Sequence, residues 1–225
     1  MDTWDYLAKQ LIWKQLGDIT EKKILDFGSG KGYTADYFAS RNEVIAIEPS
    51  SELVAERMKK NEYSQILGDE KYLSRLDSNY FDLVLCHNVL EYIDKREQVL
   101  NEFFRILAPG GHLSIVKHNR EGRVMQMAVL LNNFEEANNL LEGKKSYAKK
   151  YGQINYFNDT DINQWCNNFK LKAKYGLRTF WDLQQNQEIQ ATENWQKNML
   201  QLEQKVSQND IFYNIAFFHH LIFSK

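Results

Sequence analysis

A short apolar segment that runs directly into three regularly spaced glycines is the feature that most constrains the fold of this chain. Residues 23–27 read Lys-Ile-Leu-Asp-Phe, and Gly28, Gly30 and Gly32 follow them. Glycines at such a turn let backbone N–H groups approach a ligand closely, because no Cβ atom stands in the way. The pattern predicts a strand, a ligand-binding loop and a helix, which together form the opening unit of an α/β sheet.

The alternation of strand and helix continues through the first 117 residues. Five short apolar runs are separated by helical patterns, and the runs at 65–67 and 81–85 are each suited to a strand that is covered on both faces. A Pro-Gly-Gly turn within residues 108–111 precedes the fifth run. Five such steps predict a doubly wound, mostly parallel α/β sheet. The predicted strands are 23–27, 44–47, 65–67, 81–85 and 112–117.

The regular alternation stops after residue 118. Apolar side chains then recur at helical spacing, which predicts a cap inserted at about 119–155 and a helical insertion at about 183–208. Two further strands are predicted near 170–181 and 212–223. Since 225 residues of which 43% are hydrophobic can bury one substantial core, we predict a single domain over the whole chain.

The composition narrows the function only a little. Lysine and arginine number 28 against 30 acidic residues, so the overall charge neither indicates nor excludes a nucleic-acid partner. Cys86 and Cys166 lie far apart without metal-ligand spacing, which argues against a disulfide framework and a metal site. The acidic, polar N-terminus and the absence of a long apolar run predict a cytoplasmic protein without a membrane span.

The glycine spacing and two nearby carboxylates indicate the chemistry of the ligand. The glycines follow GxGxG rather than the GxGxxG fingerprint of dinucleotide sites. Asp26 precedes the loop, where it would attract an ammonium group and repel a pyrophosphate. Glu48 ends the second predicted strand, where an acidic residue accepts hydrogen bonds from ribose hydroxyls. These features suit a nucleoside joined to a cationic amino acid, with a dehydrogenase as the main alternative.

The order of motifs resembles that of class I methyltransferases: residues 24–32, Glu48, Gly68-Asp69, 81–84 and 107–111. The resemblance implies a Rossmann-like, seven-stranded sheet with an antiparallel last strand and a helical cap insertion. It also implies S-adenosyl-L-methionine as cofactor and S-adenosyl-L-homocysteine as product. The cofactor-binding residues that it implies are Asp26, Gly28, Ser29, Gly30, Gly32, Glu48, Pro49, Leu67, Asp69, Glu70 and His87.

A closer resemblance covers most of the chain. Residues 86–93, Asn119 with Gly122, 175–182 and His220 are similar to the bacterial tRNA 5-carboxymethoxyuridine methyltransferases. This resemblance implies carboxyl O-methylation of a modified wobble uridine, with tRNA as partner. The chain departs from that family at three positions, where His118, Phe217 and Trp181 replace a tyrosine, an arginine and a histidine.

Methyl transfer to a carboxylate requires alignment of the acceptor with the methyl donor more than it requires a general base, because a carboxylate is already ionised at neutral pH. Arg178 is the first candidate to hold that carboxylate, since guanidinium binds it in a bidentate manner. We expect His118 and Asn119 to assist, His87 to orient donor or acceptor, and His220 to contact substrate. The predicted phosphate-binding lysines are Lys144, Lys145, Lys149 and Lys150.

Each assignment has an alternative. Arg178 can pair with a surface carboxylate, the lysines can form a solvated loop, and His87 can be a core histidine. The whole chain can instead act on a small-molecule metabolite, or bind S-adenosylmethionine without catalysis. The sequence leaves the oligomeric state open.

Overall fold

The computed structural model describes residues 3–144, 146–148 and 152–225. Its strands are β1 Lys23–Phe27, β2 Glu43–Glu48, β3 Ser64–Leu67, β4 Phe81–His87, β5 Leu107–His118, β6 Ser146–Ala148, β7 Gly152–Ile154, β8 Lys170–Leu177 and β9 Phe218–Ser224. Its α-helices are α1 Thr3–Leu16, α2 Tyr33–Ala39, α3 Ser51–Ala55, α4 Arg96–Ile106, α5 Arg120–Met125, α6 Phe134–Leu141, α7 Asp161–Trp165, α8 Gln187–Gln190, α9 Glu193–Val206 and α10 Asp210–Ile215. A π-helical turn, Gln126–Leu130, follows α5 directly.

Seven strands form the main sheet in the order β3-β2-β1-β4-β5-β9-β8. Strand β1 pairs in parallel with β2 on one side and with β4 on the other, so the strand order reverses beside β1. In open α/β sheets ligands bind beyond the carboxyl ends of the strands at such a reversal. The predicted doubly wound sheet is confirmed, and the glycine loop lies at its reversal point.

The last strand runs antiparallel to β5. Asn119 N donates to Phe217 O at one end of this pair, and Lys225 N donates to Gly111 O at the other. The predicted start of the strand at residue 212 is wrong, because residues 210–215 form α10. The Asn209 side chain caps that helix by accepting a hydrogen bond from Ile211 N at 3.0 Å, which is a local N-terminal signal for a helix.

Two other predicted boundaries differ from the structure. The turn at 108–111 lies within β5, where the partner of β4 shifts from Leu107 to His112 over two residues of β4. Strand β8 ends at Leu177 rather than near residue 181, because Arg178 adopts a left-handed conformation with φ of 62°. The backbone N–H groups of the next three residues donate hydrogen bonds to the Glu203 carboxylate instead of to a neighbouring strand.

The chain divides into two compact units. The first comprises Asp18–Val116, Phe157–Ala173 and Leu221–Lys225, and the second comprises Met1–Gly17, Lys117–Tyr156 and Lys174–His220. The prediction of one domain with insertions stays a prediction. Within the described ranges, no helix combines the length and the apolar character that crossing a membrane requires.

The first unit holds a large hydrophobic core. Side chains of β1, β2, β4 and β5 pack with one face of α4, and Phe27 contacts Phe103 edge to face at 5.3 Å between ring centres. The α4 residues that point inward recur at helical spacing, namely Val99, Leu100, Phe103 and Ile106. This core fixes the strands whose ends carry the glycine loop.

Candidate functional site

The glycine loop joins β1 to α2 through three residues with positive φ. Gly28, Gly30 and Gly32 have φ values of 77°, 56° and 68°, which residues with a Cβ atom rarely adopt. The N–H groups of Gly28 and Ser29 both donate to Ile47 O, at 2.8 and 3.1 Å. The loop is therefore folded back against the end of β2.

Glu48 fixes the loop from the end of β2. Its Oε2 accepts a hydrogen bond from Gly30 N at 2.8 Å, and its Oε1 accepts one from Ser50 N at 3.0 Å. The side chain is buried. A carboxylate offers about four acceptor sites, so capacity remains for hydroxyl groups of a ligand. Sequence reasoning assigned Glu48 to the ribose and missed its contact with the loop.

The space around the loop fits a bound ligand at Gly30. A Cβ atom on Gly28 would lie 2.3 Å from Val89 Cγ2, and one on Gly32 would lie 2.2 Å from Tyr63 Oη. A Cβ on Gly30 would meet no atom within 4 Å. The Ser29 hydroxyl is buried and has no hydrogen-bond partner in the described part of the chain. Such an orphaned group beside open space is where a polar ligand gains a hydrogen bond.

The end of β3 presents an apolar side chain beside a capped turn. Leu67 is 57% exposed, an unusual degree for a leucine next to a core. Asp69 Oδ1 caps the following 3-10 helix, which begins at Glu70, by accepting a hydrogen bond from Lys71 N at 3.0 Å. Pro49, after β2, is exposed. Leu67 is thus available to pack against an apolar group, and its predicted role toward the cofactor stays a prediction.

The last predicted cofactor residue, His87, ends β4 and bonds to the next strand. His87 Nε2 and Ser114 Oγ lie 2.8 Å apart. Cys86, one residue earlier, is fully buried, and burial raises the pKa of its thiol well above the ordinary value. A buried, protonated thiol is a poor nucleophile, which agrees with reading Cys86 as a core residue.

The predicted acceptor residues belong to the second unit, where two of them make structural contacts. The Asn119 amide is buried and donates to Asn214 O and Ala216 O at 2.8 and 2.9 Å. His118 lies against the rings of Phe217 and Phe218, with centroid distances of 5.6 and 4.8 Å. Their predicted roles toward an acceptor stay predictions.

Arg178 is held by one carboxylate. Its Nε and Nη2 both donate to Asp182 Oδ1, at 2.9 and 2.6 Å, and the two side chains are 14% and 17% exposed. Glu203 on α9 accepts hydrogen bonds from the N–H groups of residues 179, 180 and 181, and burial raises the pKa of this carboxyl. The segment that carries Arg178 is therefore fixed at both backbone and side chain.

Sequence reasoning missed Glu203 as a support. Apolar residues at helical spacing indicate α9, namely Trp195, Met199, Leu202 and Val206. Glu203 lies four residues after Met199 on the same stripe. An acidic residue on an apolar stripe is the signal that could have revealed it, because a buried carboxylate needs hydrogen-bond donors.

The structure describes only part of the loop that carries the four predicted phosphate-binding lysines. Lys144 pairs with Glu142 at 2.7 Å, and its Nζ also donates to Asn139 Oδ1 at 3.0 Å. Lys145, Lys149 and Lys150 lie outside the described residues. The prediction that this loop meets phosphates stays a prediction.

His220 is fully buried in the second unit, and its Nδ1 lies 2.7 Å from Gln15 Oε1. Its neighbour His219 has a different partner, since it stacks on Tyr213 at 3.8 Å between ring centres. The predicted substrate role of His220 is untested. Burial lowers the pKa of His220 from 6.5 to about 3, so the folded protein keeps this imidazole neutral.

The buried His220 predicts a loss of stability in mild acid. Below pH 6.5 the unfolded chain binds a proton at this position and the folded chain does not, so stability falls as the pH drops towards 3. His220 alone makes the free energy of unfolding change by about 1.4 kcal/mol per pH unit. Urea unfolding at several pH values between about 3 and 6.5 should show that this free energy depends less steeply on pH in His220→Gln than in the wild type. His112→Gln, at an exposed position, should keep the wild-type slope, and equal slopes for all three proteins would contradict the prediction.

Known proteins resemble this chain in sequence and in fold. A family model described as a methyltransferase domain matches residues 25–115. The tRNA 5-carboxymethoxyuridine methyltransferase of Escherichia coli O157:H7 is 25% identical over 194 residues, covering 78% of this chain and 72% of that protein. The malonyl-[acyl-carrier protein] O-methyltransferase of Hamiltonella defensa is 31% identical over 102 residues, covering 44% of this chain and 39% of that protein.

A solved structure shares the fold over nearly the full length. The crystal structure of an S-adenosylmethionine-dependent methyltransferase from Archaeoglobus fulgidus superposes with a TM-score of 0.65 at 14% identity. The match covers 98% of this chain and 94% of the other. This likeness establishes the architecture of the sheet and its helices.

Proposed function

We propose, from the premise that this chain is a class I S-adenosylmethionine-dependent methyltransferase, that it methylates the carboxylate of 5-carboxymethoxyuridine at the tRNA wobble position. One observation carries the proposal. Similarity to the tRNA enzyme extends over 78% of the chain, well beyond the methyltransferase domain at 25–115. Similarity to the malonyl-carrier enzyme covers only 44%.

The residues around the glycine loop suit the cofactor. When bound, S-adenosylmethionine would supply an electrophilic methyl group: a carboxylate oxygen of the acceptor would bond to the methyl carbon as the bond from that carbon to the sulfonium sulfur breaks, with S-adenosylhomocysteine as the second product. We assign Asp26 and the loop amides to its amino-acid part, and the remaining acceptor capacity of Glu48 to its ribose. Leu67 is assigned to the adenine ring, for which its exposed side chain is suited.

Arg178 is the residue that we assign to orient the acceptor carboxylate. Its guanidinium is held in place by Asp182, so little rotamer entropy is lost when a second anion binds. An ionised carboxylate needs no base, and alignment with the methyl carbon dominates the rate. His87 is assigned to orient the donor or acceptor from the end of β4.

The test uses total tRNA from a strain that lacks this gene. Incubation with labelled S-adenosylmethionine, followed by mass spectrometry of the nucleosides, should reveal the methyl ester of 5-carboxymethoxyuridine. tRNA whose wobble uridine lacks the carboxymethoxy group is the matched control and should stay unlabelled. Unlabelled modified tRNA, despite measurable cofactor binding, would contradict the proposal.

A small-molecule acceptor is the second candidate, because a ubiquinone biosynthesis O-methyltransferase of Acinetobacter baumannii is 26% identical over 132 residues, covering 54% of this chain and 55% of that protein. A tRNA acceptor needs the loop that carries the four predicted phosphate-binding lysines, whereas a small-molecule acceptor does not. With a tRNA acceptor, replacing Lys144, Lys145, Lys149 and Lys150 by serine should raise KM about 10-fold or more and weaken its salt dependence.

A matched variant controls for net charge. It replaces four exposed lysines elsewhere by serine and should leave KM near the wild-type value; these are Lys170, Lys172, Lys197 and Lys205. If the loop variant and this control behave alike, the loop does not bind the acceptor, and a small molecule becomes the favoured substrate.

A further inference from the structure

Two guanidinium groups lie against one aromatic ring in the second unit. The Arg123 Cζ atom is 5.8 Å from the centre of the Phe217 ring, and the Arg178 Cζ atom is 5.0 Å from it. Arg123 comes from α5 and Arg178 from the end of β8. The positive charge of Arg178 also disfavours the charged form of Arg123, so the repulsion between the two cations must be offset.

One neighbouring carboxylate, that of Asp182, already binds Arg178. Asp182 Oδ1 accepts both hydrogen bonds from Arg178, and Asp182 Oδ2 accepts one from Gln126 Nε2 at 3.2 Å. The other end of the Gln126 amide, Oε1, accepts a hydrogen bond from Arg123 Nη1. Arg123 therefore reaches Asp182 only through a neutral amide, which orients its guanidinium but does not neutralise its charge.

Arg123 has unused donors. Within the described residues it forms no ion pair, and its buried Nε has no hydrogen-bond partner. Burial lowers the pKa of Arg123, and the charge of Arg178 lowers it further. The hydroxyl of Thr179, next to Arg178 in sequence, is also buried without a partner in this part of the structure.

Four titratable side chains of the described residues act on the charge of Arg123. Tyr156, Glu136 and Asp182 favour its charged form, and Arg178 opposes it. None of the acidic side chains is within ion-pair distance of Arg123 in the described ranges. A partly buried guanidinium without a counter-ion is costly, whereas one that binds an anion recovers that cost through charge-assisted hydrogen bonds.

We propose that Arg123 is a specificity-determining residue that binds the carboxylate of the methyl acceptor, together with Arg178. This inference rests on the proposed function, because it names the acceptor carboxylate as the anion. Asp182 and Gln126 act as positioning residues that hold the two guanidiniums. A neutral acceptor of the same shape leaves Arg123 unpaired and is rejected.

The experiment compares two nucleosides on protein saturated with S-adenosylhomocysteine. The probes are 5-carboxymethoxyuridine and its carboxamide, which has the same shape without the charge, and calorimetry measures both Kd values. Wild-type protein should bind the carboxylate about 10-fold or more tightly than the amide. Arg123→Leu and Arg123→Gln should remove this preference and leave the affinity for the amide unchanged.

Two controls separate binding from folding and from net charge. Unchanged affinity for S-adenosylhomocysteine shows that an Arg123 variant is folded. Arg123→Lys should keep part of the preference, because lysine keeps the positive charge but lacks the planar guanidinium that binds a carboxylate with two hydrogen bonds. Arg75→Leu removes the same charge from an exposed position and should keep the full preference. If Arg123→Leu also keeps it, the inference is overturned.

Failure of the inference and failure of the proposed function give different results. If modified tRNA is methylated but the Arg123 variants discriminate like the wild type, only the inference fails. If modified tRNA is not methylated, thermal unfolding in sodium malonate and in sodium chloride at equal ionic strength tests the anion site by itself. A malonate stabilisation that is lost in Arg123→Leu supports the site, and equal stabilisation in both proteins overturns it.

Discussion

Gly30→Ala is expected to lower the affinity for S-adenosylhomocysteine about 100-fold, which corresponds to about 2.7 kcal/mol. The added methyl group would meet no protein atom within 4 Å, so it projects into the space that the cofactor must share. The substitution also strains a backbone with φ of 56°, which costs about 1 kcal/mol of stability. Calorimetric titration measures the affinity, and urea unfolding measures the stability.

Gly17→Ala is the matched control for Gly30→Ala. Gly17 follows α1 and has φ of 80°, and a Cβ atom added there would also meet no atom within 4 Å. Both variants should lose similar stability, because both place alanine in the left-handed region. Only Gly30→Ala should lose cofactor affinity. Equal affinities for the two variants would show that the cofactor does not approach Gly30.

Gly122→Ala is expected to destabilise the protein by about 3 kcal/mol, near the upper end for single substitutions. A Cβ at this position of α5 would lie 2.2 Å from Ala216 O and 2.8 Å from Phe217 Cα. These are backbone atoms, which cannot rotate away, and Ala216 O also accepts the Asn119 hydrogen bond. The better helix propensity of alanine recovers only about 1 kcal/mol.

Urea unfolding tests this expectation with a neighbouring variant as control. Glu121→Ala changes an exposed residue of the same helix and should alter stability by no more than about 0.5 kcal/mol. A Gly122→Ala protein as stable as Glu121→Ala would mean that α5 can move away from residues 216 and 217 at little cost.

The first five strands could be predicted from sequence because each contains a short apolar run. The expectation that the run at 65–67 is covered on both faces is wrong, since β3 lies at the edge of the sheet and Leu67 is exposed. The strand Lys23–Phe27 has the predicted bounds, and Phe81–His87 extends the predicted run 81–85 by two residues. The last strand was harder to place, since residues 212–217 are as apolar as a strand, yet the Asn209 cap begins a helix there. The apolar pattern favours a strand more strongly than the single capping residue Asn209 favours a helix.

The candidate cofactor-binding residues could be proposed from the sequence because they lie in consecutive motifs with fixed spacing. The glycines, Asp26 and Glu48 all lie at or just beyond the carboxyl ends of the first two strands. The contact of Glu48 with Gly30 N was not predictable, since it depends on how far β2 extends beside the loop.

The sequence by itself determined the sheet and the glycine loop, because hydrophobic runs and loop spacing are local properties, and its resemblance to class I methyltransferases implied the cofactor. Only the tertiary structure decided how the charged residues of the second unit are paired. Arg123, Gln126, Arg178 and Asp182 are separated by up to 59 positions, and no spacing rule connects them. Their arrangement depends on α5, β8 and Phe217 packing together, which leaves Arg123 as a cation without a carboxylate of its own in the described structure.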